Sequence, residues 1–266
     1  MTSTRPTNHP QVSLVIPIRD EAGNIGPLIN EVREALDTAG FSWELLVIND
    51  GSTDESVHEV SSISEKSSRI HLIHLSEGRG KSAALSKGFA SVHGEAVVML
   101  DGDGQDDPAE IPKMLLRLGI APDGKEAIPA EADLVNGWKT PRLDPWHKTI
   151  PSCVFNILVS WLTNLSLHDH NCGLKAMRRE VAQDLPLGTG MHRFIPVLAA
   201  SSGGRVVEQA VHHRPRTQGV SKYGVGRFFR GLFDLVTVWL KLQTGKLSTQ
   251  IQKPVPSTST TTLRIF

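Results

Sequence analysis

The chain has little of what staples or anchors a protein. Only two cysteines, Cys153 and Cys172, occur in 266 residues. A disulfide framework is therefore excluded, and the cytosol is the default compartment. A chain of this length buries a full core without such staples. No apolar run reaches about 18 residues, so no transmembrane helix is expected. Residues 1–10 are polar and lack an apolar centre, so no secretory signal is expected either. No internal repeat is visible, which argues against a solenoid or propeller. Net charge is also absent, since 28 Lys or Arg balance 28 Asp or Glu. The balance is uneven along the chain. Arg214 to Lys246 holds seven Lys or Arg and one acid, Asp234. That span carries about +6 and the remainder about −6, an asymmetry that suits phosphate, nucleic acid or an anionic membrane surface.

Apolar runs then alternate with helical patterns. Val12 to Ile18 reads as a strand covered on both faces, Ala96 to Leu100 as a buried strand, and Leu45 to Ile48 and Ile70 to Leu75 as two further strands. Between them, Ile25, Leu28, Ile29, Val32 and Leu36 fall at helical spacing, and Gly40 stops that helix. Ser52 or Thr53 is placed to cap a second helix, and Arg79 to His93 reads as a third. Four alternations predict a parallel, doubly wound α/β sheet. Residues 119–132 read as a surface loop, Ala132 to Gly137 as a fifth strand, and Trp146 to Leu165 as an apolar helix. A segment at Gly173 to Met177, a helix from about Met191 and a strand at Arg205 to Val211 follow. The expected organisation is a tail over 1–11, a catalytic domain over 12–224, an amphipathic helix over 225–243 and a second tail over 244–266. That helix sets Arg227, Arg230, Asp234 and Lys241 against Phe228, Phe229, Leu232, Phe233 and Trp239. It suits a helix lying in a membrane interface, or one packed on the domain.

The chemistry gathers after the fourth strand, at Asp101-Gly102-Asp103-Gly104-Gln105. Carboxylates at the carboxyl end of a strand stand where open α/β sheets bind ligands. Oxygen ligands of this kind suit Mg²⁺ or Mn²⁺, which usually takes phosphates as its other partners. Asp-Gly-Asp-Gly is also ordinary turn chemistry. An EF-hand is excluded, because its sixth and twelfth positions hold Asp106 and Pro112. Asp20 and Asp50 follow two other strands, which extends the acidic rim, and a carboxylate there can accept from a nucleobase N–H. Lys81, at a helix start, favours a phosphate. A Walker A loop fails at Leu75, and Gly78-x-Gly80-x-x-Ala83 is a weak dinucleotide pattern after the wrong strand. His168 to Cys172 has no second knuckle for zinc. Arg214, Arg216, Ser221 and Lys222 form a basic loop able to hold a phosphate, or a plain solvated loop.

Together these residues resemble family 2 glycosyltransferases of the GT-A fold, in particular the dolichol-phosphate mannose synthase and bacterial undecaprenyl-phosphate glycosyltransferase group. The likeness covers roughly residues 12–240. It rests on Val15-Ile16-Pro17-Ile18-Arg19-Asp20-Glu21, Ile48 to Asp54, Gly78 to Gly88, Asp101-x-Asp103-x-Gln105, Asn136 to Asp144, Asp169 to Arg179, Met191 to Phe194 and Arg216 to Tyr223. Asp20 and Asn49 depart from the group's usual Asn and Asp. The resemblance implies that Pro17, Glu21, Asp50 and Asp101 hold a nucleotide-sugar, with Lys81 near its diphosphate. Asp101, Asp103 and Gln105 would surround Mg²⁺ or Mn²⁺. Arg142, Arg216, Ser221 and Lys222 would receive the phosphate of a polyprenyl acceptor. Asp169 would be the base or a sugar-binding carboxylate, and Arg216 and Lys222 would also serve catalysis.

The implied activity is an inverting transfer from a nucleotide-diphospho-sugar, of GDP-mannose or UDP-glucose type, to dolichyl or undecaprenyl phosphate. The expected location is cytoplasmic and peripheral on the inner face of a membrane, with a homo-oligomer or a separate membrane partner left open and no nucleic acid partner. The alternatives are the same fold on a soluble acceptor and a nucleotide-sugar-binding protein without turnover.

Overall fold

The apolar runs become the middle of one sheet. In the computed structural model of the chain, residues 9–140, 146–215, 225–245 and 247 are described. The strands are β1 (Val12–Ile18), β2 (Trp43–Asn49), β3 (Ile70–His74), β4 (Ala96–Met99), β5 (Leu134–Lys139), β6 (Lys175–Arg178) and β7 (Val206–Val211). Their order is β3-β2-β1-β4-β6-β5-β7. Every pairing is parallel except those of β6, which runs antiparallel between β4 and β5. The sheet is thus mostly parallel rather than wholly so. The reversal has a local cause: the chain arrives from a long helix and a tight loop on the carboxyl side of the sheet, so β6 starts where its neighbours end.

Helices cover both faces. They are α1 (Ile25–Ala39), α2 (Ser56–Ser64), α3 (Lys81–Phe89), α4 (Ile111–Arg117), α5 (Trp146–Thr163), α6 (Arg179–Asp184), α7 (Ile195–Ser201) and α8 (Val225–Gln243). Period-two alternation splits the strands between two cores. Leu14, Ile16 and Val47 meet α1, α2 and α4, while Val15, Leu46 and Ile48 meet α3, α6 and α7. A third cluster joins Phe155 and Val159 of α5 to Leu235 and Val238 of α8 and to Val197 and Leu198 of α7.

Several boundaries differ from the sequence pattern. The helix after β2 begins at Ser56 and not beside Ser52 or Thr53. Its first amide, that of Ser56, donates to the Asp54 carboxylate at 3.0 Å, while the Thr53 amide donates to Asp20 at 2.7 Å. α3 starts only at Lys81, because Gly80 has a φ of 87°, and it ends at Phe89. Near Met191 the chain first makes a 3₁₀ turn, Met191–Phe194, and then α7. Pro108 and Pro112 interrupt the periodic pattern that would have announced a second 3₁₀ turn, Pro108–Glu110, and α4.

β2 and β3 lie on one side of β1, and β4 lies on the other. The order reverses there, so the crevice beyond the ends of β1 and β4 is the sheet's switch point. α3 must press closely on the sheet to frame it. A Cβ built on Gly88 would stand 2.4 Å from Val15 Cγ1. Gly88→Ala is therefore expected to destabilise the protein by about 1–3 kcal/mol through overpacking. Thermal unfolding followed by circular dichroism checks this, and an unchanged midpoint contradicts it.

Candidate active site

Asp101 leaves β4 into the switch-point crevice and forms an ion pair with Lys81 of α3. Burial works against its charge, but Lys81, Lys139 and His192 outweigh that and hold the carboxyl down to about 2. Asp103 accepts from the Gln105 amide at 3.2 Å, and the Gln105 side chain donates to the Arg214 carbonyl at 3.4 Å. Behind them lies Asp106, 1% exposed, with neither carboxylate oxygen hydrogen-bonded among the described residues. Burial pushes its carboxyl up to about 6, with Asp101 and Asp103 adding to the rise and Lys139 opposing it from 3.7 Å. Burial also opposes the charge on Lys139, but Asp106 and the neighbouring Asp101 and Asp169 raise its ammonium above the ordinary value.

Gly173 closes this cluster. A Cβ there would lie 2.3 Å from Asp106 Oδ2 and 2.8 Å from Asp101 Cγ. Only a residue without a side chain lets the loop before β6 approach both acids. Gly102 similarly packs on β1, where a Cβ would meet Ile18 at 3.0 Å, the Pro17 carbonyl at 3.4 Å and Glu21 Cγ at 3.5 Å.

The nucleotide-side residues are drawn together by short bonds. The Glu21 amide donates to Ser56 Oγ at 2.8 Å, and Asn24 Nδ2 donates to Glu21 Oε2 at 3.2 Å. Asp50, 5% exposed, accepts from the Arg79 amide at 2.6 Å and the Gly80 amide at 2.9 Å. Its carboxylate thus shapes the turn that delivers Lys81. The two departures from the family pattern are local braces. Asp20 spans to Thr53, and Asn49 accepts from the Ser52 amide at 2.9 Å.

Asp169 is 1% exposed, and its Oδ1 accepts from the Asn171 amide at 3.1 Å. Cys172 is a buried thiol pushed up to about 12, burial and the Asp106 charge acting together, so it is neither a nucleophile nor a ready metal ligand. Burial holds the neighbouring His170 down to about 4. Arg214 bonds Glu31 at 2.5 Å and Asp107 at 2.6 Å. Arg142, Arg216, Ser221 and Lys222 lie outside the described residues. Sequence reasoning assigned no role to Asp106, Lys139, Gly173 or Glu208. Lys139 and Gly173 lie inside motifs that the sequence displays, and Asp106 lies just after one, but only their burial and neighbours reveal what they do.

Among the described residues no three His, Cys, Asp or Glu side chains close into a metal cage. Yet the site fits a hard cation that brings phosphate oxygens with it. Oxygens of Asp101, Asp103 and Gln105 would be its donors, and the two buried Asp106 oxygens beside them accept no hydrogen bond from the described residues.

Comparison with known proteins bears on the fold and the family. Crystal structures of glucosyl-3-phosphoglycerate synthase from Mycobacterium tuberculosis share the fold. The complex with Mn²⁺, uridine diphosphate and glucosyl-3-phosphoglycerate superposes with a TM-score of 0.65 at 19% identity, covering 86% of this chain and 80% of that one. The complex with Mn²⁺, UDP-glucose and phosphoglyceric acid gives 0.65 at 18% identity, covering 88% and 79%. These likenesses establish a GT-A, nucleotide-diphospho-sugar transferase type of fold. Residues 13–185 match the model of glycosyl transferase family 2, and the chain belongs to that family. It is 36% identical over 242 residues to the dodecaprenyl-phosphate galacturonate synthase of Rhizobium johnstonii, covering 88% of this chain and 69% of that protein. The protein is a glycosyltransferase.

Gly173→Ala is expected to push the loop off Asp101 and Asp106 and cut turnover by about a hundredfold, the scale of a 1 Å misplacement. Steady-state kinetics on the folded variant check this, and wild-type turnover contradicts it.

Proposed function

We propose that this glycosyltransferase moves a sugar from a nucleotide-diphospho-sugar to a polyprenyl phosphate, with inversion at the anomeric carbon. The observation that carries this reading is the likeness to a dodecaprenyl-phosphate sugar synthase along 88% of the chain. Pro17, Glu21 and Asp50 form the nucleotide side of the site. Asp101, Asp103 and Gln105 hold Mg²⁺ or Mn²⁺, which when bound neutralises charge on the departing nucleoside diphosphate. Lys81 stands beside Asp101, within reach of the same diphosphate. Asp169 acts at the sugar, as base or as sugar-binding carboxylate. Arg142, Arg216, Ser221 and Lys222 receive the acceptor phosphate. That phosphate is already anionic at neutral pH, so the residues' main task is to hold two anions in line rather than to remove a proton.

A lipid acceptor calls for a membrane surface. No helix among the described residues is long and apolar enough to cross one. α8 instead docks on the domain through Leu235, Val238 and an Asp234–Arg193 ion pair of 2.9 Å. Its outer face keeps Phe233, Val236 and Leu240 exposed, and the adjoining α5 exposes Val154, Ile157 and Trp161 at the same helical spacing. Two neighbouring apolar stripes support peripheral binding in the interface; that the bound face is the cytoplasmic one belongs to the same proposal. A soluble acceptor remains the second reading, and membrane recruitment separates the two.

Two outcomes are expected. Sugar transfer onto undecaprenyl phosphate should be abolished by Asp103→Ala and by a chelator; retained transfer in either case removes the metal assignment. The Trp161→Ser/Phe233→Ser variant should bind phosphatidylglycerol vesicles about tenfold more weakly in a sedimentation assay, a loss of about 1.4 kcal/mol. Equal sedimentation would contradict the membrane platform.

A further inference from the structure

The loop from His168 to Cys172 has no regular structure, yet side chains from several elements hold its backbone. Asn156 of α5 donates to the His168 carbonyl at 2.8 Å, and Asn136 of β5 donates to the Asp169 carbonyl at 2.7 Å. Lys175 of β6, 1% exposed, donates to the carbonyls of His170, at 3.2 Å, and Cys172. The amides of His168 and Asp169 end on a single carboxylate, that of Glu208 in β7. Glu208 Oε2 accepts from the His168 amide at 2.9 Å, and Oε1 accepts from the Asp169 amide at 3.0 Å. His168 Nδ1 lies 2.8 Å from the same Oε2, and the His168 ring stacks on Trp138 with centroids 4.1 Å apart.

We propose that Glu208 is a positioning residue for sugar transfer, its two oxygens clamping consecutive amides so that the Asp169 carboxylate enters the acidic rim in one direction. This rests on the reading of Asp169 as the carboxylate that acts at the sugar. Only a carboxylate matches the donors. A glutamine in the same place offers one acceptor oxygen and would turn its NH₂ toward an N–H. The clamp matters for chemistry because Asp169 sits close enough to Lys139 and Lys175 to affect both ammonium groups. A small rotation of the 168–169 peptide would swing its carboxylate away from the crevice, and reacting groups tolerate about 0.5 Å of such error. β7 thus serves the site from the sheet edge, in register with β5, where Glu208 pairs with Asn136, the residue that holds the Asp169 carbonyl.

The test uses the full chain and the isosteric variant Glu208→Gln. Hydrogen–deuterium exchange of the peptide covering residues 166–171 should quicken at least tenfold. With a UDP- or GDP-sugar donor and undecaprenyl phosphate, kcat should fall tenfold or more while donor KM stays within about twofold. The double variant Asp169→Asn/Glu208→Gln should be no slower than Asp169→Asn alone. Glu208→Asp, which keeps the charge but draws it back, should lie between Glu208→Gln and the wild type in both exchange and kcat, and it serves if Glu208→Gln does not fold. Unchanged exchange, or a double variant slower than Asp169→Asn by the full Glu208→Gln factor, overturns the proposal alone. Wild-type turnover in Asp169→Asn overturns the reading of Asp169 and the proposal with it.

Discussion

The structure depends on keeping carboxylates apart from one another and close to cations in one crevice. Asp101, Asp103 and Asp106 leave the end of β4 within six residues, and Asp169 joins them from the loop before β6. Charges gathered this way in a partly buried place are unstable unless paired. Lys81 of α3 answers Asp101, and Lys139 at the end of β5 answers Asp106. α3 begins late, after a turn built on Asp50, so that its first residue is Lys81. β5 runs to Lys139 and no shorter. The two Asp106 oxygens, without hydrogen bonds among the described residues, are the kind of buried polar remnant that needs an explanation in function.

The reversal of β6 has the same origin. An antiparallel strand entering between β4 and β5 carries its leading loop across the carboxyl edge of the sheet. That brings Gly173 against Asp101 and Asp106, with Asp169 earlier in the same loop. A parallel strand in this place would begin at the opposite edge and leave the rim open. The sheet therefore brings residues from the ends of β1, β2 and β4 toward those of β5 and β6. α5 and α8 pack together through the third cluster.

Much of this was legible in the amino acids. The uninterrupted runs Val12–Ile18 and Ala96–Met99 announced strands buried on both faces, and Asp101-x-Asp103-x-Gln105 announced an oxygen-rich site at a strand end. What escaped has physical reasons. β6 has four residues, too few for a period, and its direction depends on the loop before it. Glu208 sits in an alternating segment where a glutamate reads as a solvent-facing residue. Its partners are backbone amides 39 and 40 residues away, which no local pattern reveals. Asp50 read as a nucleobase acceptor, and the structure shows its carboxylate also occupied with the amides of Arg79 and Gly80. Arg214 read as part of a basic loop able to hold a phosphate, and its carboxylate partners Glu31, in α1, and Asp107, before the 3₁₀ turn Pro108–Glu110, lie 183 and 107 residues away.

The most direct measurement is product identification. Purified protein would be offered a panel of UDP- and GDP-sugars, UDP-galacturonate among them, with undecaprenyl or dodecaprenyl phosphate and a divalent cation, and the lipid fraction read by mass spectrometry. The account predicts a prenyl-phosphate sugar that forms only with the cation present. Sugar appearing solely on soluble acceptors, or a lipid product that forms as readily in excess chelator, would contradict it.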